Sequence, residues 1–219
     1  MKYLTYSLFL LLIPMCSYSQ GNLDDLLPVR GLCMSAPAPD GVDQFIDFVE
    51  KDLVPRKINT LVLRIDFRYE FKSHPELVAE NALSKRDVKK IVKACQIGRI
   101  NLIPQVNLLG HQSWSTRINK LMEKYPQFNE TPYVPLDKEL TWPNEWGLYC
   151  LSYCPLHPEV HDVVFAVVDE IVEAFEAKAF HAGMDEVFYL GDDKKTGDKF
   201  CVQFYYLFFL SYYRMGSFF

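Results

Sequence analysis

The sequence predicts an α/β fold built on a parallel sheet covered by helices. Two observations predict it. Short apolar runs rich in Val, Leu and Ile alternate with stretches whose apolar residues recur at helical spacing, and the alternation repeats four times. Residues 29–34, with Leu32, Cys33 and Met34, form the first strand. Residues 42–54 form the first helix, with Phe45, Ile46, Val49 and Leu53 on one face. The second strand is 60–66. Ser84 then opens a helix carrying Val88, Ile91, Val92 and Cys95 on one face, and Asp87, three residues after the cap, marks its start. The third strand is 100–106, and 115–125 reads as a modest third helix. Pro158 starts a strong fourth helix, striped by Val160, Val163, Val164, Val167, Val168, Ile171 and Phe175, and 179–183 is the fourth strand.

Three stretches fall outside this rhythm. Lys2, the apolar run 8–13 and the small residues Ser17 and Ser19 read as an export signal cleaved after Ser19, too short for a membrane span. The expected location is therefore periplasmic or extracellular. Cys16 raises lipid anchoring as the minor alternative, disfavoured by the bulky Met15 before it. Residues 126–155 form a long loop with five prolines, two of the three tryptophans, and Cys150 and Cys154, a pair spaced to close a small disulfide. A metal reading of that pair would recruit His157 and His161, but the spacing matches no standard zinc pattern. Cys33 and Cys95 sit in apolar runs and read as core residues. From 200 to 219 half the residues are Phe or Tyr and Arg214 alone is charged, so 194–219 reads as an atypical tail.

Composition excludes several classes. Of 219 residues 49% are hydrophobic, which excludes a disordered chain, and 23% are charged, which excludes a polytopic membrane protein. The net charge of -5 gives no electrostatic reason to expect nucleic acid or an anionic membrane as partner. There is no Gly-rich phosphate loop, Gly-x-Ser-x-Gly elbow or His-Glu-x-x-His. The informative segment is His181-Ala-Gly-Met-Asp185-Glu186-Val187. Side chains at the carboxyl ends of parallel strands face the ligand crevice, and two adjacent carboxylates there suit acid/base chemistry. The plain alternative is that Asp185 caps a following helix and Glu186 is solvated.

His181-x-Gly183-x-Asp185-Glu186 resembles the His-x-Gly-Gly-Asp-Glu signature of glycoside hydrolase family 20, the β-N-acetylhexosaminidases. The segment 101–111, ending Gln105-Val-Asn107-Leu-Leu-Gly110-His111, is similar to the family's third-strand pattern, hydrophobic-Pro-Glu-x-Asp-x-Pro-Gly-His. Arg30-Gly31-Leu32 resembles its first strand, so the likeness spans 29–190. The resemblance implies the first half of a (β/α)₈ TIM barrel over 20–193, in a chain expected to be truncated after Gly191, since a full barrel takes about 250 residues.

It also implies a substrate-assisted retaining mechanism, in which the sugar's own 2-acetamido oxygen attacks the anomeric carbon. Asp185 would orient the acetamido N–H, Glu186 would protonate the leaving oxygen, and His111 would support that acid. The partner implied is a carbohydrate substrate, and no metal or organic cofactor is required.

Departures from the family pattern set further expectations. The family's carboxylate beside the His is Asn107, which hydrogen-bonds but cannot hold a positive imidazole by charge. The His-Trp-His of the second strand is replaced around Arg64 and Asp66, which are candidates to line a different pocket. A substrate-binding Arg falls on Ala38. Trp114, three residues after His111, is the best candidate for a sugar platform, with pinning of the long loop as the alternative. His181 reads as a hydrogen-bonded strand residue, and His74, His157 and His161 as surface residues. The leading function is a secreted hexosaminidase. The alternatives are a noncatalytic carbohydrate-binding barrel fragment and a barrel glycosidase with a different sugar specificity.

Overall fold

The computed structural model describes residues 23–114, 117–137 and 139–190. The predicted signal (1–19) and tail (194–219) lie outside them. The chain divides at Arg30 into two units. Of the first, the described part is the short helix α1 (Leu23–Leu26) and the residues up to Arg30, whose guanidinium donates to the Leu27 carbonyl.

The second unit is built on three parallel strands, β1 (Gly31–Ser35), β2 (Thr60–Arg64) and β3 (Asn101–Gln105), in the order β1-β2-β3. Leu61 lies opposite Leu32 on one side and Leu102 on the other. Alternation along β2 sends Leu61 and Leu63, with Ile65 just beyond, into the core, while Val62 and Arg64 face the other way. Helix α2 (Val42–Phe48) follows β1 and widens into a π-turn over Val49–Leu53, which keeps both Val49 and Leu53 buried. Helix α3 (Lys85–Ile97) follows β2. Ser84 accepts from the Asp87 N–H while Asp87 accepts from the Ser84 N–H, a complete capping box. Its stripe of Val88, Ile91, Val92 and Cys95 is buried as predicted.

The chain after β3 departs from the expected helix over 115–125. β4 (Ser113–Trp114) pairs antiparallel with β5 (Arg117–Ile118), and among the described residues of this stretch only α4 (Lys120–Lys124) is helical, begun by the Asn119 side chain accepting from the Met122 N–H. The long loop is closed at its base by an Asn129–Tyr153 bridge and buries Val134, Leu140, Leu148 and Leu151. Helix α5 (Val160–Ala174) buries the predicted valine stripe.

The expected fourth strand is an extended segment held to β3 by one bridge, Gln105 to His181. The His181 N–H donates to Pro104 and the Ala182 carbonyl accepts from Leu108. It ends at Gly183, whose φ of +54° takes the chain out of the extended region. No disulfide joins Cys150 to Cys154, because the buried Cys150 thiol points instead at the Glu186 carbonyl, 3.5 Å away. Cys33 is exposed rather than in the core, as are its β1 neighbours Gly31 and Leu32, and its thiol lies 3.5 Å from the Gln105 side-chain oxygen. His74, His157 and His161 are not simple surface residues: His74 bonds Glu76, His157 packs against Phe128 and His161 stacks on Phe165. Among the described residues no helix is long and apolar enough to cross a membrane.

Candidate active site

The candidate site lies at the carboxyl end of β3 and of the extended segment beside it. After Gln105 the chain turns sharply, with Leu109 and His111 both in the left-handed region around Gly110. A Cβ at Gly110 would lie 2.6 Å from the Asp185 carbonyl oxygen, so only glycine lets this turn press on the 185–186 backbone. The fully buried Gln112 clamps the turn, donating to the carbonyls of Asn107 (3.0 Å) and Gly110 (2.9 Å) while accepting from Asn119 (2.8 Å).

This clamp places His111 Nε2 3.1 Å from Glu186 Oε2. The imidazole is 11% exposed and the Glu186 side chain 54%. One ligating atom each of His111, Asp185 and Glu186 all lie within 4.8 Å of one another, and these three would be the donor set for a cation at this place. The His111–Glu186 bond instead suits them to moving a proton: a carboxyl oriented by an imidazole, beside a second carboxylate that stabilises positive charge. His111 Nδ1 is buried with no hydrogen-bond partner among the described residues.

Residues 45–203 match the family described as "Glycosyl hydrolase family 20, catalytic domain". The chain belongs to glycosyl hydrolase family 20. Hexosaminidase D of Bos taurus is 24% identical over 140 residues, which is 63% of this chain and 35% of that protein. The beta-hexosaminidase of Akkermansia muciniphila is 28% identical over 107 residues, 49% of this chain and 20% of that one. Among solved structures, the Flavobacterium johnsoniae chitobiase superposes with a TM-score of 0.58 at 21% identity, covering 82% of this chain and 26% of that chain. The chain thus spans about a third or less of the length of these relatives. The structural likeness is one of fold, and what the described residues form is part of the family's TIM barrel.

Within this family 20 chain, Asn107 does not turn to His111. Its side-chain oxygen accepts from Gln105 Nε2 (2.9 Å), whose own oxygen accepts from the Cys33 thiol (3.5 Å), while its backbone N–H donates to Asp66 Oδ1 (3.0 Å). Asn107 therefore joins the second and third strand ends rather than backing the imidazole. Burial pushes the Asp66 carboxyl above its usual range, against the opposing pull of the Asn107 N–H and of Arg64, Arg68 and His111. Arg64 Nη2 donates to Ser35 (2.7 Å), and its Nε lies 3.7 Å from Asp66. Arg64 and Asp66 thus form one charged pair at the end of β2. His181 Nδ1 accepts from the Gly183 N–H at 3.1 Å. Arg30 belongs to the first unit.

Trp114 stacks on His111, with ring centroids 5.4 Å apart and planes inclined by 25°. Sequence reasoning missed Gln112 and Tyr149. Tyr149 stands edge-on to Trp114 at 5.6 Å and lies 6.2 Å from the His111 ring. Nothing in the local pattern marks a tyrosine in a Pro-rich loop, whereas Gln112, an amide directly after the Gly-His turn, was open to being read as a clamp.

Proposed function

We propose that the protein is a glycosidase of the hexosaminidase type, releasing β-linked N-acetylhexosamine with retention and with the substrate's acetamido oxygen as nucleophile. The observation that carries the reading is the 3.1 Å bond from His111 to Glu186 with Asp185 alongside. Glu186, oriented by His111, gives its proton to the glycosidic oxygen and later takes one from water. Asp185 accepts the acetamido N–H and stabilises the cationic ring that forms as the acetamido oxygen bonds the anomeric carbon. The closeness of Asp185 to Glu186 supports this division of roles. With the two carboxylates and His111 within 4.8 Å of one another, one carboxylate can hold the acetamido group while the other acts on the glycosidic oxygen, as substrate-assisted retention requires. Arg64 and Asp66 offer a donor and an acceptor for sugar hydroxyls.

Turnover of a chromogenic β-N-acetylglucosaminide is the test. The wild-type chain is expected to release the chromophore, and Glu186→Gln to lose at least about a hundredfold in kcat, the scale of general acid catalysis. Equal turnover of the matching β-glucoside, which lacks the acetamido group, would sink the substrate-assisted mechanism. A second reading, a noncatalytic sugar-binding domain, is favoured by the amide at Asn107, engaged with Gln105 rather than with the imidazole. Sugar binding without turnover would decide for it.

A further inference from the structure

The last part of the long loop lies between the two halves of the acid. The Gln112 N–H donates to the Leu151 carbonyl (2.9 Å), the Leu151 N–H to the Ser113 hydroxyl (2.9 Å) and the Tyr153 N–H to the Leu109 carbonyl (3.0 Å). Residues 151–153 are thereby laced to the turn that carries His111. On the other side the Tyr189 hydroxyl donates to the Trp146 carbonyl (3.1 Å). Cys150 sits within this seam, 1% exposed. Its thiol donates to the Glu186 carbonyl at 3.5 Å. Burial pushes that thiol up, and the hydrogen bond it receives from the His111 backbone N–H works against the shift. One sulfur thus meets the main chain of both residues whose side chains form the 3.1 Å bond.

His111 and Glu186 share a second property. Their φ angles are +54° and +53°, in the left-handed region that residues other than glycine seldom adopt. Such conformations persist where the surroundings over-determine them. Gln112 fixes the turn through the turn's own carbonyls, whereas Cys150 bonds both segments at once. We infer that Cys150 is a positioning residue: its thiol clips the His111 and Glu186 backbones together and so keeps the imidazole on the carboxyl that delivers the proton. The inference rests on the hexosaminidase reading and adds to it a residue too buried to touch the sugar. Sulfur is large enough to span two backbones and carries a weak donor and a weak acceptor. A cysteine that only filled space could be exchanged for any small apolar residue. Here that exchange leaves a buried N–H and a buried carbonyl without their partner.

The test compares kcat/KM of the full chain on two β-N-acetylglucosaminides, one with a dinitrophenyl and one with a phenyl leaving group. Dinitrophenolate departs without a proton, whereas phenolate needs the acid, so the second reports how well Glu186 is held. Cys150→Val fills the space without bonding. It should lose about tenfold on the phenyl glycoside, part of the roughly hundredfold or more that a general acid supplies, and stay near wild type on the other. Cys150→Ala, which leaves room instead of filling it, should show the same pattern. Cys150→Ser keeps a donor and an acceptor and should recover most of the loss. In a His111→Ala background Cys150→Val should cost nothing further, because the imidazole it positions is gone. Equal losses on the two glycosides would overturn the inference, assigning Cys150 to general packing. So would a Cys150→Val enzyme as active as the wild type, or a serine variant no better than the valine one. Turnover of neither glycoside by the wild type would remove the hexosaminidase reading, and this inference with it.

Discussion

A methyl group at position 183 would sit 2.6 Å from the Asn107 side-chain oxygen and 3.0 Å from its Cα, and the φ of +54° there already disfavours any L side chain. Gly183→Ala therefore meets two costs at once, about 1–2 kcal/mol for the left-handed backbone and a clash whose nearest atom is tied to Gln105. Gly110→Ala meets a backbone carbonyl, that of Asp185, which can yield only by moving the acid pair. We expect Gly183→Ala to lower stability by about 2 kcal/mol or more in urea unfolding, and Gly110→Ala to weaken sugar binding more than it lowers stability. Wild-type stability in Gly183→Ala would show that the 183–186 segment is not held against Asn107. Both glycines stood inside the motifs that the sequence displays, as did His111, Asp185 and Glu186, because fixed spacing survives in a linear reading. The reason for each glycine did not, since Gly183 is answered by a residue 76 positions earlier and Gly110 by one 75 positions later. The same distance hid Asn107's choice of Gln105 over His111.

Between elements, one polar cluster ties the segment after β2 to α4 and the turn beyond it. Glu76 accepts from the Tyr125 hydroxyl and from His74, and Tyr125 stacks on Phe128 with centroids 5.0 Å apart. These bonds, chiefly that from Tyr125, hold the Glu76 carboxyl down to about 2, against an ordinary 4.5. The folded protein binds a proton at Glu76 less readily than the unfolded chain. The stabilisation is therefore complete above about pH 4.5 and is lost as pH falls toward 2. Tyr125→Phe should cost about 1 kcal/mol at pH 7, allowing for the water that reaches Glu76. The difference from wild type should shrink steadily as urea midpoints are measured at pH 5, 4 and 3. A difference independent of pH would assign the loss to packing against Phe128 instead. Asp87, lowered mainly by Ser84, weakens on acidification in the same direction. The two long helices were legible because their stripes extend over several turns. The helix expected over 115–125 was not realised, because its apolar residues form no such stripe and Asn119 caps only five residues.

Over the sheet as a whole, hydrogen bonding is uneven. β2 is paired on both sides, by β1 and β3, and β3 gains the bridge to His181. Leu61, Leu63 and Ile65 are fully buried, whereas Gly31, Leu32 and Cys33 of β1 are exposed. β1 has β2 as its one strand partner among the described residues, and the 181–183 segment has β3 as its one neighbour. The period of apolar runs made the parallel sheet legible, but the completeness of each ladder depends on what lies on either side of a strand, which no run of residues encodes. Local opening follows the weakest ladders, so amide exchange should grade across the sheet. The amides of β2 and β3 are expected to exchange slowest, those of β1 and of 181–183 faster by at least about tenfold, in deuterium exchange followed by mass spectrometry. Since Asp185 and Glu186 directly follow that outer segment, sugar binding at the site should slow exchange at 181–186 more than in β2. Protection of β1 equal to that of β2 in the free protein would mean that its outer edge is covered in solution and would rule out the gradient.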